Sequence, residues 1–186
     1  MSPNEEQAYF RAWLRDQTPR TWHQVALTWN WDDGTEVLDW ILDQPACDAG
    51  TALALYLSSE ADWYADQFES MEQMNAEGHW GLADAQFAAR ICERWAAGHF
   101  QTYNYHPGNP HLLDRTRYWH EVPNAISSKA LWEVPASLLA APFRGEPVDL
   151  DAFHEGRPIE WLIPEEPRTP HFRKLVEQAL RIIGRI

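Results

Sequence analysis

The spacing of apolar and polar residues predicts helices along the first half of the chain. Ser2, Pro3 and Glu5 form a capping box with proline at the first helical position, and apolar residues follow at helical spacing. Thr18 and Pro19 repeat the start signal for a second helix. The chain is therefore predicted to open with two amphipathic helices.

A central buried helix is predicted after a turn. The segment WNWDDG at residues 29–34 predicts a turn, with Asp33 as the cap of a helix over about 35–44. Asp48 is the next predicted cap and precedes the run TALALYL at residues 51–57. Because that run is apolar on most sides, we expect it to form the central helix.

Two more amphipathic helices precede a change of character. One helical segment is predicted over about 60–75 and another near 83–97, which ends at Gly98, a favoured residue just past a helix. Recurrent prolines then break the chain into short pieces, with short helices predicted near 136–141 and 149–154.

The fold class predicted from this pattern is mainly α. We expect a single domain over residues 1–186, a compact helical array of about six to eight helices with a proline-rich, loop-rich second half. Residues 111–186 are expected to wrap over the first half and to close with an amphipathic C-terminal helix that Thr169 caps and Pro170 begins.

Composition fits a folded domain in a reducing compartment. Apolar residues make up 45% of the chain and tryptophan occurs 11 times, which argues against disorder. Cys47 and Cys92 cannot build a disulfide framework, and we expect each to be a small hydrophobe on an apolar helix face. The acidic, polar amino terminus and the lack of a long apolar run predict no export signal and no membrane span, hence a cytoplasmic protein.

Charge is unevenly distributed. The first 100 residues hold 17 acidic and 5 basic side chains, and 13 of the acids lie between Arg20 and Arg90 with no lysine or arginine among them. Such a surface repels phosphate backbones, so nucleic acid is not an expected partner, whereas a basic protein is.

Eight carboxylates are the candidate partner-binding residues. Those near 36–43 face away from the apolar side of their helix, and a second group continues along the next helical segment. A solvated face is the ordinary interpretation. However, such faces usually mix in lysine to offset repulsion, and its absence favours contact with a basic surface. The set is Asp32, Asp33, Glu36, Asp39, Asp43, Asp62, Asp66 and Glu69.

The search for catalytic chemistry gives no recognisable motif. HExxH, GxSxG, GxxxxGK and GxGxxG are all missing. A nucleophilic Cys92 with a histidine as base is disfavoured, because burial would raise the pKa of the thiol and suppress the thiolate. Asp32 and Asp33, as adjacent acids before a helix, are more typical of a helix cap than of a catalytic acid and base. No metal ligand, catalytic residue or cofactor is predicted. The histidines that could in principle bind a metal lie in proline-rich loops without defined geometry: His99, His106, His111 and His120.

Two motifs resemble a known family. The run WNWDDGTEVLDWILDQPACDAGTALALYL at residues 29–57, together with ERWAAGHFQTYNYHPGN at residues 93–109, resembles DUF4274, a bacterial family of unknown function. The resemblance covers roughly residues 18–110, which would form the helical core. It implies a small bacterial cytoplasmic protein with no established catalytic residues. The motif positions look structural: Trp29, Trp31 and Trp40 as core, Gly34 as turn and Asp48 as cap.

The favoured hypothesis is a non-enzymatic binding protein, most concretely an immunity protein that neutralises a basic antibacterial toxin by occluding its active site. Size, acidity and aromatic content fit that hypothesis. Two alternatives stay open: a regulatory or scaffold protein, and an enzyme or metal-dependent protein whose site is lined by the loop from His99 to His120. The sequence does not indicate an oligomeric state.

Overall fold

Helices dominate residues 3–108 and 130–162, which are the residues that the structure, a computed structural model, describes. The mainly α, compact helical array is confirmed, while the C-terminal helix predicted from Thr169 lies outside the described residues. In chain order the elements are α1 (Pro3–Arg15), α2 (Pro19–Thr28), a 3-10 helix (Trp31–Asp33), α3 (Glu36–Leu42), α4 (Ala49–Ser58), α5 (Ala61–Gln67), α6 (Met71–Ala76), α7 (Leu82–Ala96), α8 (Ala136–Leu139), β1 (Phe153–His154), β2 (Arg157–Pro158) and α9 (Ile159–Leu162).

Helix α4 lies at the centre of the fold. Every residue from Ala49 to Tyr56 is buried, and the helix packs against both α2 and α7. Asp48 is its N-cap, where a side-chain oxygen accepts a hydrogen bond from the Gly50 backbone N–H at 2.9 Å. The predicted cap and the predicted central burial are both confirmed.

Tryptophans of the WNWDDG segment anchor the turn before α3. Trp29 is buried, and its indole Nε1 donates to the Gly34 carbonyl at 2.8 Å. Gly34 adopts a φ of 80°, a region that favours glycine, as the predicted turn requires. Trp31 and Trp40 are half-buried and pack against the same core.

The prediction that Asp33 caps α3 is wrong. Gly34 separates the 3-10 helix from α3, so the N-cap position falls on Thr35. Asp33 instead ends the 3-10 helix, and its carboxylate accepts a hydrogen bond from Arg157 at 2.7 Å. A contact between residues far apart in the chain therefore takes the place of the predicted local cap.

The helical segment predicted over 60–75 is two helices rather than one. Phe68 and Ser70 have extended backbones, and the Ser70 hydroxyl accepts a hydrogen bond from the Gln73 N–H at 3.2 Å, which starts α6. Serine competes well for such capping positions, and the chain bends here. The bend brings α5, α6 and α7 around a second apolar cluster of Tyr64, Met74 and Ala85.

The described part of the second half returns to the first. The short helix predicted near 136–141 is confirmed as α8, which packs against α7. The helix predicted near 149–154 is wrong: that stretch leads into a β1–β2 hairpin whose turn residues Glu155 and Gly156 both have positive φ. The hairpin packs against α2, with Gly156 against the Trp29 ring.

Both cysteines are buried, as expected for small hydrophobes. Cys92 lies on α7, whereas Cys47 lies in the loop before α4 rather than on a helix face. Burial raises the pKa of Cys47 to about 12 and that of Cys92 to about 11. Neither thiol is therefore prepared to act as a nucleophile at neutral pH.

Candidate functional site

Two of the predicted partner-binding carboxylates form ion pairs with arginines of α7. Arg90 on α7 donates to both oxygens of Asp39, at 3.0 Å from Nε and 2.6 Å from a terminal nitrogen. Arg94, one turn further along α7, donates to Asp43. The cations that the sequence lacks near these acids therefore come from α7, about fifty residues later.

The eight predicted carboxylates thus divide into two groups. Asp33, Asp39 and Asp43 form ion pairs with arginines of distant elements. The other five have exposed side chains: Asp32, Glu36, Asp62, Asp66 and Glu69. The unrelieved like charge inferred from the sequence therefore does not hold for α3, and partner binding by any of the eight stays a prediction.

An exposed aromatic cluster lies beside the second group. Trp63 on α5 is 40% exposed and Trp80, in the loop before α7, is 78% exposed. The His79 ring contacts both indoles, with its centroid 5.9 Å from that of Trp63 and 5.2 Å from that of Trp80. Phe68 packs edge-on against His79 at 4.8 Å. We call Trp63, Tyr64, Phe68, His79 and Trp80 the aromatic patch.

Backbone geometry holds the His79 ring in place. Gly78 ends α6 with a φ of 63°, and the His79 N–H donates to the Met74 carbonyl at 3.0 Å. The Gly81 N–H then donates to His79 Nδ1 at 3.1 Å, which fixes the imidazole. A side chain at Gly81 would meet the Tyr64 ring at 2.6 Å, so glycine is required for this close approach.

The surroundings of the aromatic patch are strongly acidic. Between residues 60 and 89 the chain has seven acids and no lysine or arginine. Asp84 is half-buried and the other six are exposed: Glu60, Asp62, Asp66, Glu69, Glu72 and Glu77. Burial raises the pKa of Asp84, a hydrogen bond with Tyr64 opposes that rise, and the charge of Asp32 adds to it. Asp32 therefore lies within electrostatic reach of the base of the patch.

The aromatic patch was not predicted from the sequence. Residues 60–75 were predicted to form one amphipathic helix, and residues 79 and 80 fell in no predicted element. The available signals were Ser70, a good N-cap ahead of Met71, and the glycines on either side of the His79 and Trp80 pair. Only the bend between α5 and α6 brings Trp63 next to those rings.

A buried polar network joins α2, α4 and the loop after α7. The Asp48 carboxylate accepts hydrogen bonds from three backbone N–H groups, those of Gly50, Asn104 at 2.7 Å and Tyr105 at 3.2 Å. A Cβ at Gly50 would lie 1.9 Å from the Tyr105 carbonyl oxygen, so the loop lies directly on the start of α4. We call this arrangement the Asp48 clamp.

His23 of α2 belongs to the same network. Its Nε2 lies 3.0 Å from the His106 carbonyl, which can only accept, so Nε2 carries the proton and Nδ1 accepts from the Thr51 hydroxyl at 2.9 Å. His23 is fully buried, and burial lowers its pKa to about 4, against the opposing effect of the His106 carbonyl. A neutral, inaccessible imidazole with both nitrogens bonded is structural.

Two of the histidines proposed for a metal or catalytic site, His99 and His106, lie within the described residues. His99 packs edge-on against Phe100, and His106 Nδ1 accepts a hydrogen bond from the Gly108 N–H at 3.0 Å. His111 and His120 lie outside the described residues. Among residues 3–108 and 130–162, no three His, Cys, Asp or Glu side chains converge to hold a metal ion. Nor does any helix in those ranges have the length and apolarity to cross a membrane.

The described residues define a mainly α domain with a buried polar clamp and an exposed aromatic surface among acids. Residues 17–96 match the family DUF4274, a domain of unknown function. The predicted resemblance is therefore confirmed over the range that contains α2 to α7, the Asp48 cap and the aromatic patch. No curated protein and no solved structure matches the chain.

Proposed function

We propose that this chain is a non-enzymatic binding protein that captures a basic protein partner through the aromatic patch and the acids around it. The observation that carries the proposal is the exposure of Trp63 and Trp80 within a stretch of seven acids and no bases. Buried tryptophans contribute much of the free energy of protein interfaces. Complementary charge accelerates capture and excludes anionic partners.

The most concrete form of this proposal is a cytoplasmic immunity protein. Its partner would be a co-produced antibacterial toxin with a basic active-site cleft, which the acidic surface covers. The net charge of −13 and the aromatic content support that assignment. A regulatory or scaffold protein would use the same surface with a different basic partner.

The acids that serve this surface are those of α5 and the bend that follows it. Asp62 and Asp66 lie on α5 beside Trp63, and Glu69 lies in the bend. Asp39 and Asp43 are assigned instead to the cohesion of α3 with α7, since arginine already engages both. The partner-binding role is thereby moved from α3 to the exposed surface of α5, the bend after it and the loop before α7.

Replacing both exposed tryptophans is expected to abolish capture without unfolding the protein. The tagged wild type and a Trp63→Ala, Trp80→Ala variant would be incubated with native lysate and washed at low and at high salt. Retained proteins would be identified by mass, and the dissociation constant of the purified partner would then be measured. We expect binding to weaken about 100-fold in the double variant, because central tryptophans are typical hot spots.

The matched control is Tyr9→Ala. Tyr9 is also a large exposed apolar residue, at 59%, but it lies on α1 outside the aromatic patch. Its replacement should leave capture unchanged. Equal binding by the wild type and the double tryptophan variant would overturn the proposal, as would a retained partner that is acidic.

Two charge reversals are expected to behave differently. Asp62→Lys with Glu69→Lys should slow association with the basic partner and weaken its salt dependence, with little change in stability, because both side chains are exposed. Asp39→Lys with Asp43→Lys should instead lower the thermal midpoint, since lysines would face Arg90 and Arg94. Stopped-flow association and thermal unfolding of both variants test this division. A similar loss of stability in the two variants would contradict it.

A further inference from the structure

Within residues 3–108 and 130–162, no arginine or lysine lies over a ring of the aromatic patch. The Trp63 and His79 planes are inclined by 38° and the His79 and Trp80 planes by 31°, so each indole is tilted against the imidazole rather than perpendicular to it. We call these three contacting rings the row. Elsewhere in the described residues, arginines do cover rings: Arg90 lies 5.8 Å from the Phe87 centroid and Arg144 lies 5.3 Å from that of Tyr103.

We propose that this row of rings is a seat for an arginine side chain of the partner protein. The inference rests on the proposed function and adds the chemical group that the surface selects. A guanidinium is planar and weakly hydrated, so it stacks on indole faces while its N–H groups point outward. Exposed carboxylates close in sequence to the rings, those of Asp62 and Glu77, are suited to accept those N–H groups.

Lysine fits this seat less well. Its ammonium is a compact, strongly hydrated charge that gains little from a broad flat surface. The Nδ1 of His79 already accepts a hydrogen bond from the Gly81 N–H, so that nitrogen is not available to accept one from an ammonium. The row therefore favours a planar cation over a compact one.

Charge decides against other occupants. A second copy of the chain would bring the same seven acids to the interface, and like charges would oppose each other there. Nucleic acids and anionic lipid surfaces are repelled for the same reason. A cationic protein segment is the occupant that the surroundings favour.

The test uses short peptides and the full chain. Protein labelled with nitrogen-15 gives one indole N–H signal for each tryptophan, and the signals of Trp63 and Trp80 are assigned from Trp63→Phe and Trp80→Phe variants. The probe is the capped peptide Gly-Arg-Gly-Arg-Gly, titrated to about 10 mM because a single small contact binds weakly. Matched peptides contain lysine or the neutral isostere citrulline in place of arginine.

We expect the arginine peptide to shift the Trp63 and Trp80 signals in a saturable way, with the lysine peptide about 5-fold weaker and the citrulline peptide without effect. Unchanged signals, equal response to lysine, or equal shifts of all tryptophans would each overturn the arginine seat. If the arginine peptide shifts no signal but the wild type captures a basic protein that the double tryptophan variant does not, the arginine seat is wrong and the proposed function stands. If the peptide shifts the signals but no basic protein is captured, the rings bind arginine and the proposed function is wrong.

Discussion

Asp48→Ala is expected to lower the free energy of unfolding by about 3 kcal/mol, because it removes a helix cap and leaves one buried and two part-buried backbone donors without their acceptor. Asp48 is 1% exposed, and its carboxylate accepts hydrogen bonds from the N–H groups of Gly50, Asn104 and Tyr105. Among the residues that the structure describes, no other side chain bonds to those three groups, so the alanine variant would lose the Asp48 clamp. Urea denaturation measures the effect.

Ser70→Ala is the matched control for that prediction. Ser70 also caps a helix, but its hydroxyl accepts from a single backbone N–H, that of Gln73. Its loss should therefore reduce stability by only about 1 kcal/mol. An Asp48→Ala variant no less stable than Ser70→Ala would show that the contacts to residues 104 and 105 contribute nothing.

The second large effect is a loss of stability in acid that depends on His23. Burial lowers the pKa of His23 to about 4 in the folded protein, against an ordinary value of 6.5. Between these two pKa values, His23 is protonated in the unfolded chain but not in the folded chain. Stability from this residue is therefore complete above pH 6.5 and falls as the pH drops toward 4, by about 3 kcal/mol in all.

Unfolding of wild type and His23→Gln across pH 4 to 7 tests this effect. Glutamine has no proton to gain, so the variant should lose most of the pH dependence in that interval, although it is less stable at pH 7. His154→Gln is the control, since His154 is exposed on β1 and its removal should leave the slope in place. An unchanged slope in His23→Gln would assign the acid sensitivity to other groups.

Local signals made parts of the fold predictable. Asp48 was recognisable as a cap because it is a good N-cap residue ahead of an apolar run, and Gly34 because a turn required it. Asp33 was misassigned because its partner, Arg157, lies 124 residues away in the chain. The same limit applied to Asp39, whose acidity suggested a partner surface until the fold placed Arg90 beside it.

The aromatic patch shows why part of the candidate site was not predictable. Trp63 was assigned to a continuous helix, yet the extended backbones of Phe68 and Ser70 turn the chain and bring Trp80 to the same side. The helical spacing of apolar residues does not indicate such a bend. The acidity of the region was visible in the sequence, but the division between paired and exposed acids depends on tertiary contacts.

The two indoles of the aromatic patch belong to different elements, and this has a thermodynamic consequence. Trp63 lies on α5 and Trp80 lies in the loop before α7. The buried cluster of Tyr64, Met74 and Ala85 packs α5, α6 and α7 together. An unfolded chain has the same side chains without their mutual contacts, so a partner that needs the row binds only the folded form. Occupancy of the surface is therefore linked to the folding equilibrium, and a saturating partner should slow hydrogen exchange at the amides of α5 to α7 in proportion to its affinity.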